Sequence, residues 1–217
     1  MQVDPRLKFL LRRLKEAQYD YFPNEKIRIL DVGCADGSFM KLLVENIINF
    51  EAIDGLDVPS QWLKEPKVRS IGDLYIQDLQ KGTGPIPLRH YHIVTLWEVI
   101  EHIENVYDFL RNLKRLLVPK GIVLLSTPNL FSLSRLIKGD AWVGIKDQTH
   151  KYLFDRLALD MVLSRSGFSG INISSYFFPS LSSKFDIVNN LFAAIPGGGM
   201  FFVKALNNKE EKSEVVF

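Results

Sequence analysis

The sequence predicts an α/β fold: a mostly parallel sheet with helices on both faces. Three observations carry this. Apolar runs of strand length alternate with helical patterns along most of the chain, which gives a parallel sheet with right-handed crossovers. The first run ends in an acidic residue, breaks into a small-residue turn and opens a helix: Ile27-Arg28-Ile29-Leu30-Asp31-Val32-Gly33-Cys34-Ala35-Asp36-Gly37-Ser38-Phe39. The length of 217 residues suits one sizeable domain and not two. The expectation is a single domain over residues 1–206 and a charged, frayed tail over 207–217.

Residues 5–19 read as an amphipathic helix, with Leu7, Leu10, Leu11 and Leu14 on one side and Arg6, Lys8, Arg12, Arg13 and Lys15 on the other. A packed helix with a solvated basic face accounts for that pattern; a lid formed by residues 1–22 is the functional alternative. Strand one is Ile27–Val32, followed by a helix marked by Phe39, Leu42, Leu43 and Ile47. Strand two is Glu51–Leu56 and ends at Asp57; strand three lies within Asp73–Gln77 and ends at Asp78; strand four is Tyr91–Trp97. A helical seam at Ile103, Val106, Leu110, Leu113 and Leu117 is stopped by Pro119, and Lys120-Gly121 turns into strand five, Ile122–Ser126. Thr127 to Lys151 shows no period. A helix from Asp155 to Ser166 ends at Gly167, and strand-like runs at Ile171–Phe178 and Met200–Leu206 complete the pattern.

In an open parallel sheet, ligands gather beyond the carboxyl ends of the strands. The first turn says which ligand. A dinucleotide fingerprint has three glycines spaced for a pyrophosphate. Here those positions hold Gly33, Ala35 and Ser38, and Asp36 puts a carboxylate where the pyrophosphate would lie. An adenosine ligand with an amino-acid head and no phosphate suits such a loop, and S-adenosylmethionine (SAM) is one. Alanine in the middle of the turn predicts a residue that avoids positive φ. Asp57 can accept hydrogen bonds from both ribose hydroxyls, a device that a nicotinamide enzyme would share.

The acidic-x-Gly-x-Gly-x-Gly pattern at Asp31, Gly33, Ala35 and Gly37 resembles the first motif of the class I SAM-dependent methyltransferases, with one Gly-to-Ala departure. That resemblance implies a Rossmann-like seven-stranded sheet whose last strand is antiparallel. It also implies a loop that wraps the methionine part of SAM, with Asp31 orienting its amino group. Asp78 resembles the acidic residue that takes the adenine amino group, with Leu79 flanking the ring; Asp73-Leu74 is the second choice. Trp97, at the end of strand four, joins the cofactor-lining set. His92 at the start of that strand is read as structural, and Cys34 as a small buried apolar residue.

Glu98-Val99-Ile100-Glu101-His102 carries the chemistry. If a helix begins here, positions i, i+3 and i+4 share one face, so Glu98, Glu101 and His102 converge while Val99 and Ile100 face the sheet. Two neighbouring carboxylates raise each other's pKa unless a cation lies between them. Two Glu and a His suit Mg²⁺ or Mn²⁺. His150, in Thr149-His150-Lys151, returns over the same sheet edge as a fourth ligand. Glu-x-x-Glu-His with a later His resembles the ubiquinone-biosynthesis O-methyltransferases and the small-RNA 3′-terminal 2′-O-methyltransferases. By resemblance to the latter, the metal ligands map onto Glu98, Glu101, His102 and His150. Without a metal, Glu101, His102 and His150 remain the candidate catalytic groups, a histidine serving as general base.

The acceptor is expected to be a hydroxyl of a small metabolite, lipid or glycan. Thr127–Lys151 is expected to wall its pocket, with Phe131 and Trp142 available for stacking and Arg135 for an anionic group. A formal charge of +2 and the absence of an aromatic–basic sheet motif disfavour nucleic acid. One cysteine excludes an internal disulfide, and the charged opening residues hold no secretory signal, so the cytoplasm is expected. The apolar stretch from Phe185 to Leu206 is cut by Asn189, Asn190, Pro196 and three glycines and is not read as a membrane span. A nicotinamide oxidoreductase and a SAM-binding module without turnover are the other classes kept.

Overall fold

A computed structural model of the chain describes residues 5–47, 49–176 and 197–208. Seven strands form one sheet in the order β3-β2-β1-β4-β5-β7-β6. β1 (Ile27–Val32), β2 (Phe50–Asp57), β3 (Leu74–Ile76), β4 (Tyr91–Trp97) and β5 (Leu117–Pro128) pair in parallel. β7 (Met200–Leu206) runs antiparallel to both β5 and β6 (Ser169–Tyr176), as the family resemblance implied. The chain reverses its direction of growth between β1 and β4, so the tips of β1, β2 and β4 flank one crevice.

Two apolar layers cover the sheet. On one face α1 (Pro5–Tyr21) and α2 (Ser38–Asn46) bury Leu14, Met40 and Leu43 completely against Ile27, Ile29 and Ile93. On the other, α4 (Val106–Leu116) and α7 (Arg156–Arg165) bury Leu110, Leu113, Leu159 and Leu163 against Leu30, Val94 and Leu125. The strands read as near-continuous apolar runs because both faces are covered. α4 starts at an Asn105 cap whose side chain accepts from the Asp108 amide, and α7 at an Asp155 cap that accepts from Ala158. α3 (Glu65–Arg69) is a short crossover between β2 and β3.

Several boundaries differ from the sequence reading. β5 begins at Leu117, the last residue of the helical seam. Between Tyr91↔Leu117 and Ile93↔Ile122 it carries extra residues as a bulge, with Lys120 at φ 64°. The stretch without a period holds α5 (Leu133–Lys138) and α6 (Val143–Lys146), each too short to display a helical repeat. The strand expected at Ile171–Phe178 begins at Ser169; its last two residues, and residues 209–217 of the tail, lie outside the described residues. Among the described residues, no helix is long and apolar enough to cross a membrane.

Candidate active site

The turn after β1 is closed on itself. The amides of Gly33 and Cys34 donate to Leu56 O at 2.8 and 3.2 Å, and Gly37 N donates to Cys34 O at 2.8 Å. Ala35 N donates to Asp57 Oδ2 at 2.8 Å, and Ser38 N to Asp36 Oδ1 at 3.1 Å. A phosphate cradle needs such N–H groups aimed outward. Here five of them are taken by the protein, which leaves the loop unsuited to a pyrophosphate. Asp36 stays ionised, its pKa lowered chiefly by the hydrogen bond from Ser38.

The turn also corrects the reading of Ala35. Its φ is 47°, between Gly33 at 75° and Gly37 at 74°. The motif thus imposes the left-handed conformation on all three positions, at a cost of about 1 kcal/mol for alanine. Gly33 is required for a second reason: a Cβ there would lie 2.5 Å from Val99 Cγ2. The turn after β4 therefore packs directly on the turn after β1.

Asp31 is buried beneath this loop and accepts from Thr95 Oγ1 at 2.6 Å. Burial pushes its pKa up to about 7, with the Asp57 charge adding to the rise and the Thr95 hydrogen bond opposing it. Asp57, half-buried at the tip of β2, also accepts from Val58 N. Among the described residues, the tips of β1 and β2 present the carboxylates of Asp31 and Asp57, a donor set that fits an ammonium group and ribose hydroxyls; the Lys67 ammonium lies 3.8 Å from Asp36 Oδ2 in the turn. Asp78 lies just past β3 and caps a 3₁₀ turn by accepting from Gln80 N at 3.0 Å. Asp73 lies ahead of β3, away from the tips. Leu79 is not positioned to flank a ring at the tips: its side chain is buried in the core on the α4 face. His92 takes the Arg28 amide on Nδ1, and Cys34 is buried with its thiol pKa raised by desolvation; both are structural, as expected.

The second cluster forms differently from the sequence reading. No α-helix begins at Glu98. The chain kinks there at φ 55° and makes a single 3₁₀ turn over Ile100–His102. The kink turns Glu98 outward, exposed, while Glu101 is buried and Ile100 enters the core. Ligand atoms of Glu101, His102 and His150 lie within 4.8 Å of one another; Glu98 is not among them. The third member arrives because Glu101 O accepts both Lys151 N at 2.7 Å and Tyr152 N at 3.2 Å.

Hydrogen bonds fix the cluster's protons. Thr149 Oγ1 donates its one hydrogen to Asp147 Oδ1 at 2.6 Å, so it must accept from His102 Nδ1 at 3.0 Å. His150 Nδ1 donates to Gly144 O at 2.8 Å. In its neutral form each imidazole therefore keeps its lone pair on Nε2, which for His150 lies 3.7 Å from Asp147 Oδ2. Glu101 Oε2 accepts from Thr127 Oγ1 at 3.1 Å, and Oε1 is buried with no hydrogen-bond partner among the described residues. Burial raises the Glu101 pKa to about 8, with smaller contributions from the charges of Glu98 and Asp147. A buried orphan carboxylate oxygen beside two imidazole lone pairs is a fit for a divalent cation. In the insertion, Trp142 is buried, whereas Phe131 is exposed.

The sequence matches the family described as Methyltransferase domain across residues 4–173, and the chain belongs to that family. It is 32% identical over 134 residues to the ubiquinone biosynthesis O-methyltransferase of Rickettsia bellii (strain OSU 85-389), a match covering 59% of this chain and 52% of that protein. The chain spans about half the length of the curated relatives it matches. Among solved structures, a SAM dependent methyltransferase from Archaeoglobus fulgidus superposes with a TM-score of 0.64 at 19% identity, over 92% of this chain and 94% of that one. The small RNA methyltransferase HEN1 gives 0.64 at 18% identity, over 91% of this chain and 25% of that one. Both likenesses are of fold.

Proposed function

We propose that this domain transfers a methyl group from SAM to a hydroxyl oxygen of a small molecule. The observation that carries the reading is the convergence of Glu101, His102 and His150 on a turn packed against the glycine loop. The relatives named as O-methyltransferases support oxygen as the acceptor atom. In this reading Asp31 takes the amino group of SAM, Asp57 the ribose hydroxyls, and Asp78, more than Asp73, the adenine amino group. The loop around Gly33, Ala35 and Gly37 shapes the methionine pocket, with Trp97 beside it.

The bound donor supplies an electrophilic methyl: the acceptor oxygen forms a bond to that carbon as the S–C bond breaks with its electron pair on sulfur. The chain's own task is the hydroxyl proton. His102 and His150 each present Nε2 as a base, held in that tautomer by Thr149 and Gly144. Such a base contributes two to four orders of magnitude in rate. Glu101, His102 and His150 would hold Mg²⁺ or Mn²⁺, which would lend Lewis acidity to the hydroxyl. Glu98, turned out of the cluster, is the weakest of the four ligands that the sequence suggested.

The test is a screen of hydroxylated acceptors with methyl-labelled SAM, with Mg²⁺, with Mn²⁺ and with chelator. Label is expected in an ether product, and Glu101→Ala and His102→Ala are each expected to lower turnover at least a hundredfold. If SAM binds but both variants keep full activity with chelator present, the metal reading fails. If SAM and its demethylated product both fail to bind, the whole reading fails. An arm with 3′-hydroxyl RNA tests the nucleic-acid alternative.

A further inference from the structure

α1 leaves a cavity of about 230 Å³ between itself, the carboxyl ends of β4, β5 and β6 and the start of β7. Its walls are mainly apolar, among them Leu7, Phe9, Leu10, Phe202 and Met200. Trp97 lies nearly parallel to Phe202 with ring centroids 6.1 Å apart, and Phe9 meets Phe202 edge-on at 5.7 Å. The wall therefore offers both an aromatic face and an aromatic edge to a ring.

Two polar atoms in this wall have no hydrogen-bond partner among the described residues: Trp97 Nε1 and Ser126 Oγ. Ser126 is 3% exposed, so water does not reach it freely. Trp97 and Ser126 are direct partners in the β4–β5 ladder, and Ser126 is in turn opposite Phe202 on β7. The three side chains thus point to the same side of the sheet, toward α1. An unpaired buried N–H or O–H is costly, and one of each on neighbouring residues of a cavity wall is a recognition feature awaiting its partner. Trp97 Nε1 can only donate, so the missing partner must offer a lone pair. Glu98, the next residue after Trp97, also lines the cavity. The 3₁₀ turn that carries Glu101 and His102 starts two residues later, so the cavity and the Glu101–His102–His150 cluster lie on either side of one short turn at the end of β4.

We propose that this cavity is the acceptor site, and that Trp97 and Ser126 select a flat, neutral ring compound by donating hydrogen bonds to an oxygen on it. The inference rests on the methyl-transfer reading above, and it moves the acceptor from the Thr127–Lys151 insertion to the space beneath α1. Arg6 and Glu98 put one charge of each sign in the lining, so the cavity has no net pull on an ion, and the apolar walls disfavour carboxylates, sugars and nucleotides alike. The hydroxyl to be methylated then faces the strand ends.

The test is equilibrium binding to the full chain, without SAM or metal, of three matched probes: para-hydroxyacetophenone, para-ethylphenol and para-hydroxybenzoate. The neutral ketone is expected to bind about tenfold more tightly than the isosteric ethyl compound, and more tightly than the carboxylate. The indole N–H resonance of Trp97 in the unsubstituted protein should move downfield with the ketone alone, a readout that needs no variant to fold. Ser126→Ala should narrow the preference to about threefold or less, and Phe131→Ala should leave it unchanged. Equal binding of all three probes, no binding of any, or loss on Phe131→Ala in place of Ser126→Ala overturns the proposal. SAM binding, titrated separately, tells the two readings apart. If SAM binds and methyl transfer proceeds while the Ser126 and Trp97 readouts stay silent, only the acceptor assignment falls.

Discussion

Asp31 carries an acid–base cost that the protein can exploit. Its folded pKa of about 7 is raised above the ordinary aspartate value of 3.8, because burial penalises the ionised form. The folded state therefore holds this proton more tightly than the unfolded chain. The contribution to stability is full below about pH 3.8 and is lost as pH rises through about 7, amounting to about 4 kcal/mol at most. Urea unfolding at pH 5 and pH 8 should show a larger drop for the native chain than for Asp31→Asn. If the ammonium of SAM meets this carboxylate, affinity for SAM should rise across the same window, and calorimetry in two buffers should detect proton release at pH 6.5. Thr149 is a positioning residue of the same precision. Thr149→Val should lower kcat/KM about tenfold to a hundredfold, and Thr149→Ser should restore it. Nitrogen NMR of the metal-free protein checks the cause, since only Val should release the His102 proton from Nδ1. The acidic residues at the tips were legible in the sequence because each ends an apolar run. Thr149 and Asp147 were not, because their role depends on the hydrogen-bond partners the fold brings them.

The two turns that meet at the site show why elements are harder to read than residues. Ala35 and Glu98 both take positive φ, which neither side chain advertises. Ala35→Gly should therefore stabilise the domain by about 1 kcal/mol, measured by chemical unfolding. Gly33→Ala should do the reverse, and severely, since the new Cβ would collide with Val99 at an already left-handed backbone. The helix expected from Glu98 failed because Glu98 itself breaks the backbone direction, and one 3₁₀ turn brings Glu101 and His102 in without it. The long elements were legible because both layers repeat: α1 placed Leu10, Leu11 and Leu14 inward as its spacing required. Leu14→Ala should cost about 2–5 kcal/mol, as for other fully buried leucines. The short helices α5 and α6 fall below the length at which a period can be seen.

At the scale of the molecule, the parallel pairing follows from strand–helix alternation, but the antiparallel end does not. β6 and β7 carry the same apolar character as the parallel strands, so only the family resemblance supplied their direction. The strand order places the crevice beyond β1 and β4 and brings α1 over the neighbouring strand ends, so cofactor and acceptor would approach from adjoining sides. A saturating ligand that binds only the folded state at a hundred times its dissociation constant adds about 2.7 kcal/mol. For a chain of this length that corresponds to a rise in melting temperature of about 5–10 °C. Differential scanning fluorimetry should show such a shift with SAM and none with a nicotinamide dinucleotide, whose pyrophosphate finds five amides of the first loop already engaged and the Asp36 carboxylate beside them.

The tie between Glu101 O and the amides of Lys151 and Tyr152 is made wholly by main chain. Side chains at 101, 102 and 150 can therefore be exchanged while the two segments that carry them stay clipped together. This frame can be re-equipped: a new trio of functional groups, natural or designed, would inherit the same spacing with no need for the backbone to be rebuilt.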